Sequence, residues 1–482
     1  RSPGKPARTM ASAGGEPAGP KDAPAEGGAA EPIKEASAAP VTEADLMSAL
    51  RPTIMLLLMA GNMTLQARPL LTMQCAGGSP ERAARARAQL ANAASMGSLG
   101  EFILGPLFGK LSDRLGRRPF LGFHVVAPAT AWLAVAVSGG SLAAPLRLLY
   151  VDMFSTRGFG MMSLVGMANV AVSDVVAPAQ QPRARASVAS IRALGVVVGS
   201  LLGGWAMARR GPAAPYGLAV ACASLAAANV VLRQPETLTR KAKPMAAPSQ
   251  QGLTKGSEAA AGSQRKGKGA LRTMLFDSEA RPLALLLGIQ EMTILPQFSD
   301  VATLLFRDLL QWGPAAGGRF VAAYGTANIL GSGATGALVD RLGPEWQTTL
   351  SHAGLAVAFA LWGTARSTAG MVLALLPLTL SFGRGAVVQS RAIARGEELG
   401  LGRGEAMAAI QTVGAVAKIL APRIFVALYA ASSAPAVAAA GARARGRVLP
   451  PGSPMFFVAA LGLLCEILHQ QALSARRSRA GP

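Results

Sequence analysis

Glu291 and Lys418 are ionisable side chains set inside long apolar runs, and that placement is the chain's clearest chemical signal. A charge in hydrocarbon costs ~2.5–3.5 kcal/mol on insertion scales and persists where it faces a cavity or a partner. If the run holding Glu291 is a helix entered at Arg281, the carboxylate lies about 15 Å deep, half of a ~30 Å hydrocarbon core. The same count from Met407 puts Lys418 at a similar depth, and from Arg51 does so for Asn62, with Gln66 one turn further. A carboxylate there can contact a polar solute or carry a proton, or else form a structural ion pair with Lys418 or Arg384. Lys418 in turn can hold an anion or snorkel toward the interface.

Enzymatic chemistry finds no comparable signal. His124, His352 and His469 are scattered singly, and no His, Cys or carboxylate group has the spacing of a metal site or a catalytic triad. Neither a metal nor a cofactor is expected. Cys75, Cys222 and Cys465 are too dispersed for a disulfide framework and read as free thiols. Without a Walker loop, any transport would be secondary rather than ATP-driven.

The elements that must position these residues are membrane spans. Of 482 residues, 51% are hydrophobic and 15% charged, and the mean hydropathy is +0.35, too apolar for a soluble chain of this length. The bilayer is therefore the first partner. Spans of ~20 residues fall near 47–68, 89–109, 119–138, 150–172, 187–208 and 214–233, then near 281–306, 317–339, 348–366, 369–390, 405–430 and 454–474. Much of the apolar content is Ala and Gly, so single spans are faint while close helix approach is easy.

This divides the chain into an N-terminal segment 1–46, a six-helix half 47–238, a linker 239–280, a second six-helix half 281–474 and a tail 475–482. The first segment is rich in Ala, Gly, Pro and Glu, with seven acidic against five basic residues. It reads as disordered and unlike an organellar transit peptide. Basic residues crowd the linker and the tail, which places both termini on the cytoplasmic side, in a membrane the sequence does not name. The formal charge of +22 sits in short loops beside spans rather than on one basic-aromatic surface, which argues against nucleic acid as a partner. Arg82, Arg85, Arg87, Arg209, Arg210, Arg443, Arg445 and Arg447 fall on expected outer loops, so the rule holds as a bias.

One turn is duplicated. Gly109-Lys110-Leu111-Ser112-Asp113-Arg114-Leu115-Gly116-Arg117-Arg118 has a weaker copy in Gly336-Ala337-Leu338-Val339-Asp340-Arg341-Leu342-Gly343, 227 residues later. Two apolar segments joined by a charged turn and repeated half a chain apart indicate like-oriented repeats. The first copy matches the loop between helices 2 and 3 of the major facilitator superfamily, and the chain is identified as resembling that family. The segment Ala168 to Asp174 with Pro182-Arg183-Ala184-Arg185-Ala186, the run Gly195, Gly199, Ser200, Gly203, Gly204, and Pro235-Glu236-Thr237-Leu238 extend the resemblance over residues 47–345. The nearest flavour is the tetracycline-exporter-like or hippocampus-abundant-transcript-like branch. Ser155 stands where the exporters' helix 4 arginine belongs, with Arg157 two positions off, and Ser200 replaces their proline, so antiport is weakened.

The resemblance implies an all-α membrane protein of twelve transmembrane helices in two six-helix halves. It implies a cavity lined by helices 1, 4, 7 and 10, hence by Asn62, Gln66, Arg157, Gln290, Glu291, Arg384 and Gln389. Gly109, Asp113, Arg114, Gly116, Arg117, Arg118, Asp340 and Arg341 would form the gating loops. Gly195, Gly199, Gly203 and Gly204 would pack helices or seal against leak. Glu101 is expected to pair with a loop arginine or a neighbouring helix, Glu466 and His469 to lie between helices or at the interface, and Asp300 to meet water at the outer end of helix 7. The expected function is secondary active transport of a small organic solute by alternating access in a monomer, with protons as the candidate coupling ion. A facilitative uniporter and a non-transporting sensor or interaction protein on the same fold remain alternatives.

Overall fold

The computed structural model describes residues 41–77, 80–138, 144–159, 161–176, 181–237, 268–432 and 449–480. The expectations for residues 1–40, most of the 239–280 linker and Arg443, Arg445 and Arg447 lie outside these. Every regular element among the described residues is a helix. The first half comprises α1 (Glu43–Cys75), α2 (Pro80–Leu115), α3 (Arg117–Val137), α4 (Ala144–Gly158), α5 (Met161–Val175), α6 (Gln181–Arg210) and α7 (Ala214–Arg233). The second comprises α8 (Lys268–Phe276), α9 (Ala280–Met292), α10 (Leu295–Leu310), α11 (Pro314–Leu342), α12 (Pro344–Thr364), α13 (Thr368–Leu373), α14 (Leu375–Thr379), α15 (Arg384–Glu398), α16 (Arg403–Ser432) and α17 (Ser453–Ala480).

Among the described residues the helices make twelve crossings, and three of the spans read as continuous in the sequence are broken. The fourth divides into α4 and α5, and His124 Nδ1, 2.7 Å away, donates to the Phe159 carbonyl at the break. The seventh divides into α9 and α10, where Pro296 in the first turn of α10 has no N–H to continue the ladder. The tenth divides at Leu380–Gly383, with Gly383 at φ +88°, a conformation that favours glycine. Among the described residues, seven stretches are long and apolar enough by composition to cross a membrane. The other crossings are the broken fourth and seventh, the charge-rich α2, the Gly-rich α11, and α12, whose first turns are polar.

The halves repeat one packing scheme. Helix α1 packs on α6 and α7, as α9 does on α16 and α17, and α3 lies on α7 as α12 lies on α17. Across the halves, α6 packs on α11, α2 on α16 and α1 on α10. Each half has its own apolar core, with Trp132 and Tyr216 buried in the first and an aromatic group of Phe306, Phe320, Phe359 and Trp362 in the second.

Small residues set the tightest contacts. A Cβ on Gly195 would lie 2.9 Å from Leu58 Cβ, on Gly199 2.7 Å from Met59 Cα, and on Gly203 2.8 Å from Met63 Cα, so this stripe of α6 rests on α1. Gly204 instead faces Gly318 of α11, whose Cα would lie 3.1 Å from an added Cβ. The cross-half contact fades toward the chain ends. Gly325 meets Val197, whereas Gly333 and Gly336, further along α11, face open space, and Ser332 and Ala334 are exposed. Along α6 and α11 the halves thus touch on the side of Gly204 and Gly318 and part toward the side of residues 41 and 480.

Candidate functional site

The breaks in the seventh and tenth crossings meet. Arg384, first residue of α15, donates from Nη2 to Thr293 Oγ1 at 2.6 Å and from Nη1 to the Ser381 carbonyl at 2.7 Å. Its buried Nε has no hydrogen-bond partner. Two residues before Thr293, Glu291 faces Lys418, and Lys418 Nζ stands 3.9 Å from both Glu291 Oε2 and Glu101 Oε2. Glu101 belongs to the first half, so this ion cluster bridges the halves through α2, α9 and α16. Arg192 of α6 and Arg384 lie within electrostatic reach of Glu291.

The candidate residues divide accordingly. Glu291, Lys418 and Arg384 come together, and Gln290 stands beside them with its Nε2 3.1 Å from His352 Nε2. His352 Nδ1 is 3.0 Å from Glu466 Oε2, and Glu466 also accepts from Thr349 Oγ1 at 2.9 Å, an interhelical role as expected of it. Asn62 is buried and donates to the Leu58 carbonyl of its own helix at 2.8 Å. Gln389 turns its amide to Met407 Sδ at 2.8 Å. Gln66 is buried with both amide atoms unpartnered and lines a pocket together with Phe306, Phe320, Tyr324 and Trp362. Arg157 lines another cavity together with Asp300.

Asp300 is not at a watery helix end. Its buried Oδ1 has no hydrogen-bond partner, and Arg68 and Arg157 of the other half are within electrostatic reach, because α10 packs against α1.

Sequence reasoning missed three central residues: Arg68, Asp152 and Arg192. Asp152 is fully buried and accepts from Arg68 Nε at 2.8 Å, Arg68 Nη2 at 3.2 Å, Trp132 Nε1 at 2.9 Å, Thr156 Oγ1 at 2.9 Å and Tyr216 OH at 3.0 Å. One carboxylate thereby ties α1, α3, α4 and α7. The available signal was the pairing of an Arg and an Asp at the edges of expected spans. For Arg192 it was an arginine inside one.

The first charged turn is a joint. Arg117 donates from Nε to Asp174 at 2.9 Å, and its backbone N–H donates to Glu236 at 2.7 Å. Arg118 N–H also reaches Glu236, at 3.2 Å, so this carboxylate caps the N-terminus of α3 where positive charge accumulates. Gly116, at φ +104°, leaves room for that carboxylate. Arg114 is exposed, and the Asp113, Gly109 and Lys110 side positions lie outside the described side chains. In the second copy Asp340 and Arg341 are exposed, and the comparable tie is elsewhere. Arg395 grips Asp277 at 2.6 and 3.0 Å, and its guanidinium holds that carboxyl down to about 2.

Two broken-helix halves around a shared polar cluster have the architecture of a secondary transporter. The sequence pattern of the Major Facilitator Superfamily matches residues 52–422. The chain belongs to that family. It is 29% identical over 153 residues to mouse solute carrier family 22 member 18, covering 32% of this chain and 36% of that protein. The alignment thus spans about a third of that relative. Among solved structures, the human organic anion transporter MFSD10 (TETRAN) is similar with a TM-score of 0.59 at 19% identity, covering 89% of this chain and 99% of that one. A D-xylose–proton symporter is similar with a TM-score of 0.60 at 15% identity, covering 88% and 96%. These likenesses are of fold, and the two named cargoes differ in chemistry.

Proposed function

We propose that the protein moves a small organic solute by alternating access around the Glu291–Lys418–Glu101 cluster, with Glu291 as the proton carrier and the chain ends in the cytoplasm. The observation that supports this reading best is the position of Lys418, equidistant at 3.9 Å from a carboxylate of each half. Desolvation opposes a charge on Glu291 and Lys418 favours it. A proton on Glu291 leaves Lys418 to Glu101 alone, which changes the tie between halves and links protonation to their movement. The cavity lined by Arg157 and Asp300 has ionisable walls, which favours transport over a sensor built on the same fold. The side of the chain ends carries Arg114, Arg117, Arg118, Arg476 and Arg477, the bias expected of a cytoplasmic face.

Proteoliposomes holding the Glu291→Gln variant provide the test. Uptake driven by a pH gradient is expected to vanish while counterflow exchange persists. Accumulation against a concentration gradient with only a pH difference imposed would remove Glu291 from the coupling and leave it as an ion pair.

A further inference from the structure

The cations of the midplane are not all matched. Arg68 is held by Asp152, Lys418 by Glu101 and Glu291, and Arg157 faces Asp300 and Glu101. Arg192 makes no hydrogen bond or ion pair with any described residue within 4.0 Å, and Arg384 keeps its buried Nε unpartnered. The two come from opposite halves, on α6 and α15, yet both have Tyr324 and Glu291 within electrostatic reach. Thr293 and Ser381 hold the Arg384 guanidinium in place.

A second observation points to the same ligand chemistry. The half-helix α15 begins beside Arg384 with Gly383 as its N-cap and no side-chain cap, so its first N–H groups and the positive end of a 15-residue helix look toward the break. In broken-helix transporters such an N-terminus is suited to an anionic group. Tyr324 continues the site outward. It walls the apolar pocket that also contains Phe306, Phe320, Trp362 and the unpartnered Gln66 amide, an apolar lining with one polar group of the kind that holds an organic body.

From these features we infer that the cargo is an organic anion whose acidic group sits between Arg192 and Arg384, with its apolar body against Tyr324. This inference rests on the transport reading for its physiological meaning but not for its chemistry. Fork-shaped guanidinium donors suit a carboxylate. Among the groups facing Glu291, namely Glu101, Arg192, Arg384 and Lys418, two are the proposed anion donors. A charged Glu291 therefore competes with the cargo for Arg192 and Arg384, and a proton on Glu291 strengthens anion binding.

The test uses the purified full chain and thermal stabilisation as the binding readout, with benzoate, hexanoate, benzamide, benzamidine and inorganic phosphate as probes. Benzoate and hexanoate are expected to raise the melting temperature and benzamide and benzamidine not to do so. Arg192→Gln, which removes no intramolecular pair, is expected to weaken benzoate roughly tenfold, the value of one charge-assisted contact. Glu291→Gln is expected to strengthen it. Stabilisation by benzamide or benzamidine but by no carboxylate, or benzoate binding indifferent to both Arg192→Gln and Arg384→Lys, overturns the inference. Preference for phosphate over both carboxylates overturns the organic body. Carboxylate binding without uptake driven by a pH gradient would sink the coupled-transport reading and leave this one standing, and the converse result would do the reverse.

Discussion

Asp152 shows how much one buried carboxylate can hold. With five donors directed at it, the Coulomb attraction to Arg68 is joined by three neutral hydrogen bonds that offset the desolvation of the pair. Removing its charge leaves Arg68, 1% exposed, with no ion-paired carboxylate and only Asp300 within electrostatic reach. Asp152→Asn is expected to destabilise the first half by about 3–5 kcal/mol, read as a lower midpoint in detergent and loss of monodispersity. An unchanged midpoint would show that water reaches Arg68 and that the node is not structural. Of the polar centre, Glu291 and Lys418 were legible in the sequence because counting along an apolar run fixes depth. Arg68 and Asp152 were not. Spans drawn at 47–68 and 150–172 put both at a water boundary, whereas α1 continues to Cys75 and α4 begins at Ala144. Arg192 escaped because depth alone does not report which face of α6 points inward, and only packing settles that.

At the scale of elements, the glycines of α6 divide their work. Gly195, Gly199 and Gly203 lie at helical spacing and join α6 to α1 within one half, while Gly204, one residue on and thus turned by about 100°, meets Gly318 of the other half. The sequence showed the stripe and left its partner open between packing and sealing. Contacts with Met55, Met59 and Met63 backbones favour packing for the first three. Gly199→Leu must displace α1 backbone rather than a flexible side chain, so overpacking of about 1–3 kcal/mol or more is expected, measured as lower yield of folded protein and a lower midpoint. Wild-type stability in Gly199→Leu would mean that α1 and α6 separate more easily than their contacts suggest. The helix breaks were only partly legible. Pro296 is visible in the sequence, but Gly383 looks like any glycine in an apolar run until the φ of +88° shows that the chain must turn there.

For the whole molecule, the repeated turn at Asp113 and Asp340 revealed the duplication, and the paired packing schemes of the two halves are its three-dimensional form. The approach of α6 to α11 is asymmetric along their length. Near the far side, Gly204 and Gly318 touch and Ser200 is fully buried, while near the chain ends Ser332 is exposed. Rocking of rigid halves should exchange these two conditions, because the Gly204–Gly318 contact and a closed Ser332 face cannot be satisfied together by packed helices. The check is a chain with Cys75, Cys222 and Cys465 replaced by Ala, carrying either Ser332→Cys or Ser200→Cys, probed with a membrane-impermeant maleimide in vesicles of known orientation. Ser332→Cys is expected to react from the cytoplasmic face and Ser200→Cys to stay inert. Acid on the outer face together with benzoate should then protect the first and expose the second from outside. If Ser332→Cys reacts only from outside, the assigned orientation is inverted. If both sites become reactive from one side at once, the halves open as a pore and alternating access fails.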